Sequence, residues 1–233
     1  MPALGTISVP DYSTLCRRQD GLPVEVSKRL GNGENLHIGI DSTGLKVYGE
    51  GEWKVRKHGW SKHRTWMKMH ICIDLDSQEI LAVELTGNDE ADAPAAKRML
   101  EGETKNIDSL SGDGAYDDFC FRELLGDDVK QIIPPPKNAV AHPEVENDSN
   151  KSYLKQRNDA VTSMKETSLE DWKEETGYHQ RSLNEVVMYR YKTIFGEKLS
   201  ARNSANQKTE VQLNCKLLNV YCDLGMPNSY KVD

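Results

Sequence analysis

Residues 36–47, LHIGIDSTGLKV, decide how this chain is read. Ile38 and Ile40 point one way and Gly39 and Asp41 the other, and Leu45 and Val47 extend the pattern, so the stretch is a β-strand with an aspartate inside it. Further along the chain, Met67–Leu75 and Glu79–Leu85 form a hairpin across Asp76-Ser77-Gln78, which gives three antiparallel strands in succession. Ala91–Gly102 then reads as a helix. Ile107–Ser111 is a short strand that closes on Gly112-Asp113-Gly114-Ala115-Tyr116, so Asp113 marks a strand's end. Asp117–Leu125 is a short helix, and Lys130–Ile133 is a strand stopped by Pro134-Pro135-Pro136. A polar loop over 138–150 precedes a helical pattern over Ser152–Glu175, a second helix after Gly177, and a last one over Val211–Leu224.

The element order from Leu36 is strand-strand-strand-helix-strand-helix-strand-helix. It predicts an α/β domain of the ribonuclease-H-like fold, a mixed five-stranded sheet with helices on both faces, spanning residues 36–233. Residues 1–35 read as an irregular N-terminal arm, punctuated by Pro2, Pro10, Pro23 and Gly31-Asn32-Gly33, with weak helical signals at Ser13–Arg18 and Val24–Leu30.

Bulk composition narrows the class. The 233 residues carry 29% charged and 37% hydrophobic side chains, the make-up of a globular protein. No apolar run approaches the ~20 residues of a membrane span, and the N-terminus lacks the basic-then-apolar pattern of a secretory signal, so the expectation is a cytoplasmic protein without a membrane partner. The five cysteines are scattered and never form CxxC, which argues against a disulfide framework or a zinc site. Net charge is −7, but the cations are concentrated: residues 53–70, WKVRKHGWSKHRTWMKMH, hold six Lys and Arg, three Trp and no acid. Lys54, Arg56, Lys57, Lys62 and Arg64, with Trp53 and Trp60 among them, suit a nucleic-acid surface, whereas Trp66 beside the next strand is expected in the core.

The chemistry gathers on carboxylates. Asp41 and Asp113 come close if the first and fourth strands pair, and a glutamate from a later helix completes a cluster. Carboxylates brought together repel unless cations intervene, and hard divalent ions such as Mg²⁺ prefer such oxygen donors. Bland readings stand beside this one: Asp41 bonding Ser42 or Thr43, Asp113 shaping a turn, and Glu185 in competition with Glu166, Glu170, Glu174 and Glu175. The stretch Gly177–Lys192, GYHQRSLNEVVMYRYK, favours Glu185. Tyr178, Arg181, Glu185 and Lys192 fall within roughly 40° of one line on a helix, with Leu183, Val186, Val187 and Ile194 expected to dock on the core.

Taken together, IDSTGLKVYGEGEWKVRKHG, then GDGAYD, then Tyr-(2)-Arg-(3)-Glu-(6)-Lys resemble the DDE transposases of bacterial insertion sequences, in the group spelled out as insertion sequences four and five. The resemblance runs from about Val9 to Tyr230 and includes IPPPKNAV and LGMPNSY. It implies that Asp41, Asp113 and Glu185 bind catalytic Mg²⁺, with Mn²⁺ able to substitute. It also implies that Tyr178, Arg181 and Lys192 hold transposon-end duplex DNA, that the basic segment faces DNA, and that the active complex is a homodimer. The implied reaction is metal-assisted phosphodiester hydrolysis at transposon ends, followed by attack of the freed 3′-hydroxyl on target DNA. Relatives usually carry a further helical region before the PDYSTL segment, where this sequence has nine residues. The alternative expectation is therefore a catalytically idle, truncated fragment that acts as a DNA-binding or dimerising regulator.

Overall fold

A computed structural model describes residues 10–32, 35–47, 66–143 and 149–225. Their strands form one five-stranded mixed sheet. At its centre lies β1 (Leu36–Lys46), antiparallel to β2 (Trp66–Asp74), which is antiparallel to β3 (Ile80–Gly87). On its other side β1 runs parallel to β4 (Ile107–Ser111), and β4 runs parallel to β5 (Lys130–Ile132), giving the order β3-β2-β1-β4-β5. The helices are α1 (Tyr12–Gln19), α2 (Asp92–Leu100), α3 (Phe119–Leu125), α4 (Lys155–Glu166), α5 (Leu169–Thr176), α6 (Ser182–Phe195) and α7 (Ser204–Asp223).

The strand alternation sorts the side chains into two cores. Leu36, Ile38, Ile40, Cys72 and Leu110 meet Ala93, Ala96 and Leu100 of α2 and Phe121 and Leu125 of α3 on one face. Met69, Ile71, Ile73, Ile80 and Leu85 meet Val187, Met188 and Tyr191 of α6 and Val211, Cys215 and Leu218 of α7 on the other. Each fully buried large apolar side chain contributes about 1.5–3 kcal/mol, so the helices are held on the sheet chiefly by these contacts. This is the ribonuclease-H-like arrangement expected from the element order, with helices on both faces.

Several local expectations give way to packing. Val24–Leu30 is not helical: the Asn219 side chain of α7 donates to the Val26 carbonyl at 3.3 Å, and Lys216 donates to the Glu25 carbonyl, so α7 holds this segment as irregular chain. The helical pattern over Ser152–Glu175 breaks at Thr167-Ser168. There the Ser168 hydroxyl accepts the Asp171 N–H at 3.1 Å and starts α5 as an N-cap. The final helix begins seven residues earlier than expected because Asn203 caps it, its Oδ1 accepting the Asn206 N–H at 2.8 Å. The docked face of α6 is also shifted. Asn184, Val187, Met188 and Tyr191 are buried, while Val186 and Ile194 are exposed. The stripe that packs includes an amide and a phenol, which a purely apolar reading of the helix leaves out.

Gly39 sets how closely α6 approaches the sheet. A Cβ there would lie 2.7 Å from both Asn184 Nδ2 and Leu75 Cδ2. With hydrogen in its place, Asn184 seats directly on β1, and the next residue, Glu185, is carried over the strand that bears Asp41.

All five cysteines are free, with Cys72 and Cys215 buried in the two cores, where burial pushes their thiol pKa values up. Among the described residues, no helix is long and apolar enough to cross a membrane.

Candidate active site

Register brings the two aspartates level. In the parallel β1–β4 pair, Gly39 stands opposite Ser111. Two residues further along each chain come Asp41, still within β1, and Asp113, in the loop that leaves β4. That loop turns tightly over Ile40 and Tyr116: a Cβ on Gly112 would lie 2.9 Å from Tyr116 Cδ2 and 3.0 Å from Ile40 Cγ1. The GDG sequence is therefore a close-packed turn that delivers Asp113 beside β1.

Each aspartate uses one oxygen to shape its own backbone and turns the other toward a shared point. Asp41 Oδ1 accepts the Ser42 N–H at 2.8 Å, and Asp113 Oδ1 accepts the Ala115 N–H at 2.9 Å, capping the 3-10 turn Gly114–Tyr116. The shared point is the Arg181 guanidinium. Its Nη2 donates to Asp41 Oδ2 at 3.0 Å and lies 3.9 Å from Asp113 Oδ2, and its Nη1 is 3.6 Å from Glu185 Oε1. The glutamate that reaches this guanidinium is Glu185 of α6, rather than Glu166, Glu170, Glu174 or Glu175 of the preceding helices.

Arg181 closes a 3-10 turn, Tyr178–Arg181, that leads into α6, so the predicted helical stripe begins with a tighter turn. Its Nε is buried and has no hydrogen-bond partner among the described residues. Tyr178 lies against Trp172, ring centroids 5.9 Å apart, with Lys173 over its ring, and burial raises its pKa. Lys192 donates to Thr43 Oγ1 at 2.7 Å, two residues beyond Asp41 on the same face of β1. Of the Tyr-Arg-Glu-Lys pattern, Arg181 thus reaches both aspartates and Glu185, while Lys192 holds Thr43 and Tyr178 packs on the preceding helix.

Exposure grades across the cluster. The Asp41 side chain is 13% exposed and that of Glu185 67%, so the site has a buried floor and an open wall. Burial raises the Asp41 pKa above the ordinary carboxylate value, and the neighbouring Asp113 and Glu185 charges push the same way. Arg181 and the Ser42 N–H oppose that shift without cancelling it. Among the described residues, no three Asp, Glu, His or Cys side chains are close enough together to ligate one ion. The three carboxylates instead face a common cationic group, and their hard oxygen donors are of the kind a divalent Mg²⁺ or Mn²⁺ takes.

Behind Asp113 lies a buried ionic network that the sequence reading did not anticipate. Asp117 Oδ1 accepts Arg122 Nε at 2.8 Å and Arg157 Nε at 3.0 Å. Arg122 also donates to Gln131 Oε1 and the Ile133 carbonyl, and Arg157 to the Val140 carbonyl. One carboxylate thus ties the Asp113 loop to α3, to the end of β5 and to α4. Its partners lie 5 and 40 residues away, so no local pattern marks them.

Lys54, Arg56, Lys57, Trp60, Lys62 and Arg64, along with Trp53, lie outside the described residues. The described end of the basic segment is core strand. Lys68 of β2 donates to the Glu90 carbonyl at 2.7 Å and pairs with Asp92, and His70 is buried against Thr86. Trp66 is half-buried, with Lys46 over its ring.

The fold and the site define a class, a ribonuclease-H-like α/β domain in which acidic side chains from β1, the loop after β4 and a later helix surround one guanidinium. A family model described as Transposase DDE domain matches residues 32–220, and a second model of the same description matches residues 3–50. The chain belongs to the DDE transposase domain family. Among solved structures, it is similar to a piggyBac transposase in a synaptic complex with hairpin DNA, at 12% identity and a TM-score of 0.31. The match covers 84% of this chain and 55% of that one.

Proposed function

We propose that this chain is a DNA transposase of the insertion-sequence type, which hydrolyses phosphodiester bonds at transposon ends and joins the freed 3′-hydroxyl to target DNA, acting as a homodimer on duplex DNA. The observation that carries this reading is the convergence of Asp41, Asp113 and Glu185, from three separate elements, on one cationic group.

Asp41, Asp113 and Glu185 would hold the divalent cations, Mg²⁺ or Mn²⁺. When bound, such ions would supply the charge that activates an attacking oxygen and stabilises a leaving one in phosphodiester displacement. The chain's own residues then have distinct tasks. Asp41 sits on the rigid central strand and fixes the floor of the site, its orientation set by the Ser42 N–H. Asp113 is oriented by its cap on Ala115 and braced from behind by the Asp117 network. Glu185, on the open wall, lies where a DNA backbone can approach. Arg181 and Lys192 supply cationic donors for phosphate, and Tyr178 supplies a ring edge beside them. Both hydrolysis and joining pass through the same carboxylates, so no side-chain nucleophile and no covalent enzyme intermediate are needed.

Nicking of supercoiled plasmid and of duplex oligonucleotides tests this. The expected result is cleavage that depends on added Mg²⁺ or Mn²⁺ and is lost in Asp113→Asn, with DNA affinity unchanged. The asparagine keeps an acceptor for the Ala115 N–H, so loss of cleavage reports the charge rather than the turn. Binding without cleavage in either metal would leave a DNA-binding or dimerising domain in place of an enzyme.

A further inference from the structure

Arg181 is placed differently from Lys192, the other cation of the same pattern. The Lys192 ammonium is bonded to a neutral hydroxyl, Thr43 Oγ1, at the margin of the site. The Arg181 guanidinium lies inside the carboxylate cluster, at 3.0 Å from Asp41, 3.9 Å from Asp113 and 3.6 Å from Glu185. Its Nε is buried and without a hydrogen-bond partner among the described residues. What holds the side chain there is the charge of the three acids.

We infer that Arg181 is the resident counter-ion of the carboxylate cluster, and that a divalent cation must displace it to bind. The inference rests on the metal-binding role proposed above for the same three residues. A guanidinium and a divalent ion compete for Asp41 Oδ2, and two cations held at such distances repel one another. Metal entry and departure of Arg181 from Asp41 are therefore one coupled event. Arg181 sits on a turn at the start of α6, so its long side chain can leave without moving the helix that carries Glu185. The guanidinium, once released, is free for a partner outside the cluster. By linkage, anything that holds Arg181 away from Asp41 tightens metal binding, and metal binding makes Arg181 more available by the same factor.

Mn²⁺ binding to the full chain, read from the electron paramagnetic resonance signal of free Mn²⁺ and so independent of catalysis, tests this. Arg181→Gln removes the competing charge and is expected to bind Mn²⁺ about tenfold tighter than wild type, within the ~5–150-fold range usual for coupled sites. Asp113→Asn is expected to bind it more weakly. Equal affinity in wild type and Arg181→Gln would overturn the exchange while leaving the metal site standing. Absence of binding in both would remove the metal-binding role itself. If Arg181→Gln does not fold, the wild type still decides: its arginine Nε–H resonances are followed by NMR during a Mg²⁺ titration. One resonance shifting in step with saturation is expected, and no shift at saturating Mg²⁺ refutes the displacement.

Discussion

Replacing Asp117 with alanine should be among the most damaging single changes in this domain, although Asp117 is outside the proposed catalytic set. Its carboxylate is 4% exposed and serves two guanidinium groups, Arg122 at 1% and Arg157 at 8% exposure. Truncation leaves both cations buried without their counter-charge. The backbone carbonyls of Ile133 and Val140 and the Gln131 side chain remain as acceptors, but none is ionised. Breaking a buried pair by removing one partner costs about 3–5 kcal/mol, a large part of the ~5–15 kcal/mol that stabilises a typical domain. In equilibrium urea unfolding with a slope near 3 kcal/mol/M, that corresponds to a midpoint lowered by roughly 1–2 M. Asp117→Asn keeps one acceptor oxygen but loses the charge and the second oxygen, which accepts Arg157 Nε at 3.1 Å, so its cost should fall only to about 1.5–3 kcal/mol, the worth of charged hydrogen bonds. The Asp117 carboxylate, held by Arg122 and Arg157, anchors the end of the turn that Asp113 caps through Ala115, so cleavage should drop along with stability. A loss below about 1 kcal/mol for the alanine variant, with the urea slope unchanged, would refute the view that this network braces the Asp113 loop.

Other expectations follow from the same contacts. Gly39→Ala places a methyl 2.7 Å from Asn184 Nδ2 and Leu75 Cδ2, so these buried side chains must repack, at a cost of about 1–3 kcal/mol in thermal or urea unfolding, and cleavage falls to the extent that α6 and Glu185 move with Asn184. For Asp74, burial raises the pKa, but bonds from Ser77 and Arg29 outweigh it and hold the carboxyl below its ordinary value. A lowered folded-state pKa contributes stability that is fully present above the unfolded value of about 3.9 and is lost as pH falls through the folded-state value. The stability gap between wild type and Asp74→Asn should thus hold steady from pH 7 to pH 5 and close below about pH 4, as read by denaturant unfolding at each pH. Lys192→Ala should weaken DNA binding across sequences and reduce the salt slope of log K by about one contact, measured by fluorescence anisotropy over a range of salt concentrations.

Most of the sheet was legible because strand alternation is a local signal. β4 is bounded as the sequence suggests, the hairpin of β2 and β3 is shifted by only a residue or two, and Asp41 and Asp113 lie where the strand pattern puts them. Helix ends were harder to read. The Ser168 cap is a single polar residue that splits one helical pattern in two, and the Asn203 cap lies outside the expected last helix and starts it about two turns earlier. The docked face of α6 depends on Asn184 fitting against Gly39 and on Tyr191 accepting a hydrogen bond from Asn214, both long-range pairings without a local trace. The same holds for the site. Spacing singled out Tyr178, Arg181, Glu185 and Lys192, but it could not separate a margin cation such as Lys192 from one seated among the acids. That difference arises where α6 crosses β1. The simple readings of Asp41 and Asp113 also proved accurate for one oxygen of each, since a carboxylate can shape its own turn and still offer its second oxygen to the site.

Anomalous diffraction from Mn²⁺-soaked crystals decides whether the three carboxylates hold a metal, because it locates the ion without reference to turnover. The expected result is a manganese peak ligated by carboxylate oxygens of Asp41, Asp113 and Glu185, with the Arg181 guanidinium withdrawn from Asp41. A well-ordered structure in which the three carboxylates remain on Arg181 and manganese is bound elsewhere, or nowhere, would contradict it.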